Sequence, residues 1–137
     1  MRPRGPLVLV IDDTRDLRDL FAAELASAGF MVLEAADAAS GIEKAFRFSP
    51  HAIVLDLMLP EVDAFKVARR LRGDDRTSDV AIVAVTAVAS QRIEGMALAA
   101  GCDTLMSKPV LGAALVGELV RLLAGRRTAD MTRIKGR

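Results

Sequence analysis

Five short apolar runs, separated by segments of helical period, constrain this chain more than any other feature. The runs are Leu7 to Ile11, Phe30 to Ala35, Ala52 to Leu55, Val80 to Val85 and Thr104 to Met106. Most are rich in Val, Ile or Leu with little alternation, the pattern of strands buried on both faces. The fifth is short and rests on its place in the series. Between them lie stripes at spacings of three and four. Leu17, Leu20, Phe21, Leu25 and Ala28 form the first, stopped by Gly29. Ile42, Ala45 and Phe46 form the second, behind Asp37 or Ser40 as N-cap. Phe65, Val67, Ala68 and Leu71 form the third, closed by Gly73. Ile93, Met96, Ala97 and Ala100 form the fourth, ending at Gly101. Leu111, Ala114, Leu115, Leu119, Leu122 and Leu123 form the fifth, interrupted by Glu118. Strands alternating with helices imply right-handed crossovers, hence an α/β fold with one five-stranded parallel sheet and helices on both faces.

A length of 137 residues suits one domain, with 52% hydrophobic and 27% charged residues excluding a wholly disordered chain. One cysteine makes neither an internal disulfide nor a four-thiolate zinc site. No apolar run spans a membrane and no signal peptide is evident, so a cytoplasmic location is expected. The net charge of +1 hides an asymmetry, with about −5 on residues 7–125 and about +6 on the two ends. An acidic body argues against direct contact with nucleic acid. The expected division is a tail over 1–6, a folded unit over 7–124 and a basic, solvated tail over 125–137.

In an open parallel sheet, ligands sit beyond the carboxyl ends of the strands. The first run ends in Asp12 and Asp13, the third in Asp56, the fourth in Thr86, and the fifth in Ser107 and Lys108. The second run carries no polar terminus of note. Taken singly, each residue reads as a helix cap or a loop-end polar group. Together they bring three carboxylates, a hydroxyl and an ammonium to one sheet edge. Clustered carboxylates repel one another and need a cation or a raised pKa. Without thiolate or histidine, a hard ion such as Mg²⁺ suits them better than zinc. That ion beside a lysine and a hydroxyl makes a receptacle for a phosphoryl group, with one carboxylate as nucleophile.

Val10-Ile11-Asp12-Asp13, the segment Val54 to Asp63, Val85-Thr86-Ala87, Gly101-Cys102-Asp103 and Ser107-Lys108-Pro109 resemble, in order and spacing, the receiver domain of two-component response regulators. The likeness covers about residues 7–124 and is closest to the stand-alone, chemotaxis-regulator type. It implies the flavodoxin-like strand order 2-1-3-4-5, with Asp56 as phosphoacceptor. It also implies a Mg²⁺ site of Asp13, Asp56 and the main-chain carbonyl of Met58, aided by Asp12 directly or through water. Thr86 would be the switch hydroxyl and Lys108 the phosphate-binding ammonium. The Lys108–Pro109 bond is expected to be cis, and the small Ala87 leaves room for a phosphoryl group. The implied partners are a histidine kinase or histidine phosphotransfer protein and a downstream protein target, with no nucleic acid or membrane. The implied activity is self-phosphorylation and slow dephosphorylation rather than turnover of a separate substrate.

Three residues depart from the family pattern. Ala64 stands where a glycine often follows the aspartate, which would strain the loop if that position needs a positive φ. Leu105 stands at the usual switch aromatic, and the chain has no tyrosine, so ring rotation is not the readout. Val110 replaces a common phenylalanine. His51 reads as a surface or packing residue and Cys102 as a buried, inert thiol. Competing readings are a haloacid-dehalogenase-type phosphatase, which needs a general-acid aspartate at the position of Met58, and a receiver that docks without being phosphorylated. The P-loop and dinucleotide fingerprints are absent. A receiver fragment of a longer regulator or hybrid kinase stays open.

Overall fold

In a computed structural model of the protein, residues 5–135 are described, with side chains over 5–126. The chain alternates β1 (Leu7–Ile11), α1 (Arg15–Ser27), β2 (Met31–Ala35), α2 (Ala38–Phe48), β3 (Ala52–Asp56), α3 (Ala64–Arg72), β4 (Ala81–Thr86), α4 (Gln91–Ala99), β5 (Thr104–Ser107) and α5 (Gly112–Lys135). All strands are parallel and the order is β2-β1-β3-β4-β5. Alternate strand residues feed two cores. Leu9, Ile11, Ile53, Leu55 and Ile82 pack with α2, α3 and α4, and Val8, Val10, Val54 and Val83 pack with Phe21, Leu25, Leu115 and Leu119 of α1 and α5. Every residue of β3 and β4 is buried, which is why those runs lack alternation.

β3, β4 and β5 extend one residue past their apolar runs and close on Asp56, Thr86 and Ser107, the polar ends expected of them. The ladder continues beyond them, since Leu57 N–H donates to Val85 O at 2.9 Å and Lys108 N–H to Thr86 O at 2.8 Å. The polar groups are thus held by strand backbone rather than by loose loop ends.

Capping follows the sequence closely. Asp37, not Ser40, caps α2, accepting from Ser40 N–H at 2.8 Å. Gly29 (φ 97°) and Gly101 (φ 106°) turn the chain after α1 and α4 in the left-handed region that suits glycine. The condition for strain at Ala64 is not met: it opens α3 behind the Asp63 cap, and the positive φ falls on Glu61 at 63°. A Cβ at Gly112 would meet the Glu24 carboxyl carbon at 2.4 Å, so this glycine lets α5 close on α1, whereas Gly117 faces open space.

The charge shift at residue 125 does not end a helix, for α5 runs to Lys135. Arg126, at the start of the basic segment, donates to Asp79 O at 2.8 Å and Asp103 Oδ2 at 2.9 Å. At the other end, Pro6 O accepts from Met31 N–H at 3.0 Å. Of the expected tails, residues 1–4 and 136–137 lie outside the described residues.

Candidate functional site

Asp12 directly follows β1, Asp56 and Thr86 close β3 and β4, and Lys108 directly follows β5. Because β1 and β3 are neighbours, their carboxylates converge. Single oxygens of Asp12, Asp13 and Asp56 all lie within 4.8 Å of one another. Asp12 and Asp56 are buried and Asp13 is exposed. The Lys108 ammonium sits 3.3 Å from Asp12 Oδ2 and 3.6 Å from Asp56 Oδ2, and the Lys108–Pro109 bond is cis.

Each loop is fastened by the same local device. Asp12 Oδ1 accepts from Thr14 N–H at 2.8 Å, Asp56 Oδ1 from Met58 N–H at 2.9 Å, and Thr86 Oγ1 from Val88 N–H at 3.2 Å. A short side-chain acceptor thereby satisfies the N–H two residues on. Ala87 is exposed beside Thr86. Among the described residues, no buried side-chain nitrogen or oxygen lacks a partner.

Burial pushes the Asp56 carboxyl above its ordinary value near 3.8, and the charges of Asp12 and Asp13 push the same way, while the Met58 N–H and Lys108 pull it down. At this separation and an effective dielectric of about 20, a like-charge pair repels by about 3 kcal/mol, partly offset by the ammonium. Three hard carboxylate oxygens held this close, with one destabilised by its neighbours, fit a hard divalent cation such as Mg²⁺.

The raised pKa sets a pH dependence. The folded chain holds a proton on Asp56 to higher pH than the unfolded chain does. Stability without divalent ions therefore falls as pH rises from near 3.8 through the folded-state value. Asp56→Asn removes that penalty while its amide oxygen still accepts from Met58 N–H. In EDTA at pH 7 the variant is expected to be more stable than the parent, with the gain gone at pH 3.5. Urea denaturation at both pH values checks it; equal stability at pH 7 contradicts the electrostatic account.

His51 and Cys102 lie as expected. His51 Nδ1 accepts from Leu7 N–H at 3.0 Å, at the amino end of the sheet away from the carboxylates. Cys102 is buried, and burial pushes its thiol up to about 11. Leu105 is half-buried against the core. β2 ends in Ala35 without a polar terminus, as expected, but Glu34 one residue earlier lies 3.5 Å from Arg18 Nε, and Arg18 Nη1 donates to Asp12 O at 2.8 Å. Nothing in the spacing singled out Arg18; an isolated cation on a helix reads as solvated. Arg72 was also unmarked, and it ties Asp103 to the carbonyls of Ser78, Val80 and Gly101.

The family model described as the response regulator receiver domain matches residues 8–120. The chain is 38% identical over 104 residues to the DNA-binding dual master transcriptional regulator RpaA of Synechocystis, covering 76% of this chain and 43% of the relative. It is 31% identical over 122 residues to hybrid signal transduction histidine kinase D of Dictyostelium discoideum, covering 89% of this chain and 8% of that one. The chain thus spans less than half the length of either relative. A receiver domain protein from Methanospirillum hungatei has the same fold, with a TM-score of 0.85 at 22% identity, covering 91% of this chain and 98% of that one.

Proposed function

The chain belongs to the response regulator receiver family, and from that premise we propose that it is a phosphorylation-dependent signalling switch. Asp56 accepts a phosphoryl group from a phosphohistidine donor in a Mg²⁺-dependent reaction, and the chain then changes its affinity for a partner protein. The observation that carries this reading is the Lys108 ammonium set against two buried carboxylates, Asp12 and Asp56, at the edge where Thr86 ends β4.

Asp12, Asp13, Asp56 and the Met58 carbonyl would hold Mg²⁺, which when bound offsets the negative charge between the carboxylate and an incoming phosphoryl group. An Asp56 oxygen attacks phosphorus, the new P–O bond replaces the P–N bond to the donor imidazole, and the imidazole leaves with a proton from solvent. Lys108 and the Thr86 hydroxyl bond to the phosphoryl oxygens. The Thr86 oxygen accepts from Val88 N–H, which leaves its own proton free to donate. A move of Thr86 and Lys108 toward the phosphoryl group would carry the change outward, with Leu105 rather than an aromatic ring beneath it.

The unit proposed to switch is 7–124, acting in the cytoplasm with a histidine kinase or phosphotransfer protein as donor and a protein as target. Within a longer regulator or hybrid kinase, the target would include the rest of that chain. Incubating the chain with acetyl phosphate, with and without Mg²⁺, tests the reading by intact mass. A gain of one phosphoryl group with Mg²⁺ alone supports it; no gain in either case sinks it and favours docking without phosphorylation.

The lifetime of the mark follows from two side chains. Met58 and Val88, two residues past Asp56 and Thr86, are 55% and 56% exposed. Neither orients a water by hydrogen bonding, and both shield the approach in line with the leaving oxygen. A Met58→Asn, Val88→Glu double variant is expected to lose its phosphoryl group roughly tenfold faster than the parent. Equal decay in a time course would show that shielding is not what sets the rate.

A further inference from the structure

We propose that Arg18 is a positioning residue for the acidic site, fixing the peptide that joins Asp12 to Asp13 and so the spacing of the carboxylates. The proposal rests on the reading of that cluster as the divalent-cation site. Arg18 lies one turn inside α1, where side chains lean toward the helix N-terminus. Its guanidinium therefore reaches back past Thr14 to the end of β1. Nη1 donates to the Asp12 carbonyl at 2.8 Å and Nε pairs with Glu34 Oε1 at 3.5 Å. The Arg18 side chain is only 15% exposed, so these contacts are little screened by water.

Sheet register supplies the other anchor. Val10 pairs with Glu34 and Ile11 with Ala35, and Asp12 N–H donates to Ala35 O at 3.1 Å. Lys44, from α2, donates to the Glu34 carbonyl. Asp12 is thus held at its N–H by β2, at its carbonyl by Arg18, and at its two carboxylate oxygens by Thr14 and Lys108. The peptide carrying that carbonyl also carries the Asp13 nitrogen. Asp13 is exposed, so its placement depends on the backbone. Freed from the guanidinium, this peptide plane can turn and carry the Asp13 carboxylate off the cluster.

Charge and positioning predict opposite signs. Deleting a cation near the site favours a bound cation by electrostatics alone. Loosening the peptide disfavours it, and losing a group that orients a metal ligand typically weakens affinity 10–100-fold. Isothermal titration of purified parent, Arg18→Met and Arg18→Lys with MgCl₂, beside thermal melts in EDTA, separates the two. Arg18→Met is expected to weaken Mg²⁺ binding about tenfold. Arg18→Lys keeps the charge and the stem without the two-sided fork, and is expected to fall between. Unchanged or tighter Mg²⁺ binding in Arg18→Met overturns the proposal, whatever happens to the melting temperature. If Arg18→Met does not fold, parental affinity in Arg18→Lys overturns it. A parent that binds no Mg²⁺ overturns the cation site itself, a result distinct from a bound parent with indifferent variants.

Discussion

Asp56→Asn is expected to abolish phosphoryl incorporation from acetyl phosphate in the presence of Mg²⁺. The reaction needs a carboxylate oxygen as nucleophile, and an amide oxygen does not serve. The substitution keeps the shape of the side chain and an acceptor for Met58 N–H, which Asp56 Oδ1 now engages at 2.9 Å. It also removes a buried charge that its neighbours resist. The variant should therefore fold at least as well as the parent, so that loss of the mass gain reports chemistry rather than collapse. Asp12, also buried, provides the internal control: a full gain in Asp56→Asn would move the acceptor to another carboxylate.

Lys108→Ala is expected to slow phosphorylation by about 10- to 100-fold. A hydrogen bond to a charged group contributes about 1.5–3 kcal/mol, and Lys108 is the ammonium within 3.3 Å of Asp12 and 3.6 Å of Asp56. Loss of this cation also leaves the two buried carboxylates less compensated, which pushes the Asp56 carboxyl further up. The same loss of positive charge should leave Mg²⁺ affinity equal or tighter. Rate and cation binding thus move in opposite directions, which separates a role on the phosphoryl group from general damage to the site. Stopped-flow phosphorylation beside Mg²⁺ titration checks it; a parental rate in Lys108→Ala would reduce Lys108 to a surface charge.

The residues legible in the sequence share one property. Asp12, Asp56, Thr86 and Lys108 each follow or end an apolar run, so finding the strands found the polar ends. Parallel order then put those ends on one edge, as the β1–β3 and β3–β4 pairings bear out. Arg18 and Glu34 were not legible, because their meeting depends on β2 lying beside β1 and on the rotation of α1. Neither shows in a pattern of single charges. Glu34 also lies one residue before the end of β2, where a search for terminal polar residues passes over it. Arg126 was missed for the opposite reason: a run of basic residues reads as solvated, yet one of them pairs with Asp103 across 23 residues. Whether Ala64 needs a positive φ was not legible either, because that depends on how the loop meets the Asp63 cap, and the turn is made at Glu61.

Borohydride trapping tests the central claim most directly. An aspartyl phosphate is an acyl phosphate, and hydride reduces its carbonyl carbon to an alcohol as phosphate leaves, converting aspartate to homoserine. The chain, phosphorylated with acetyl phosphate and Mg²⁺ and then reduced, is digested and its peptides are sequenced by mass. The account predicts homoserine at residue 56, dependent on Mg²⁺, with Asp12 and Asp13 recovered as aspartate. Homoserine at Asp12 or Asp13, or at none of the three despite a mass gain in the intact chain, would contradict it.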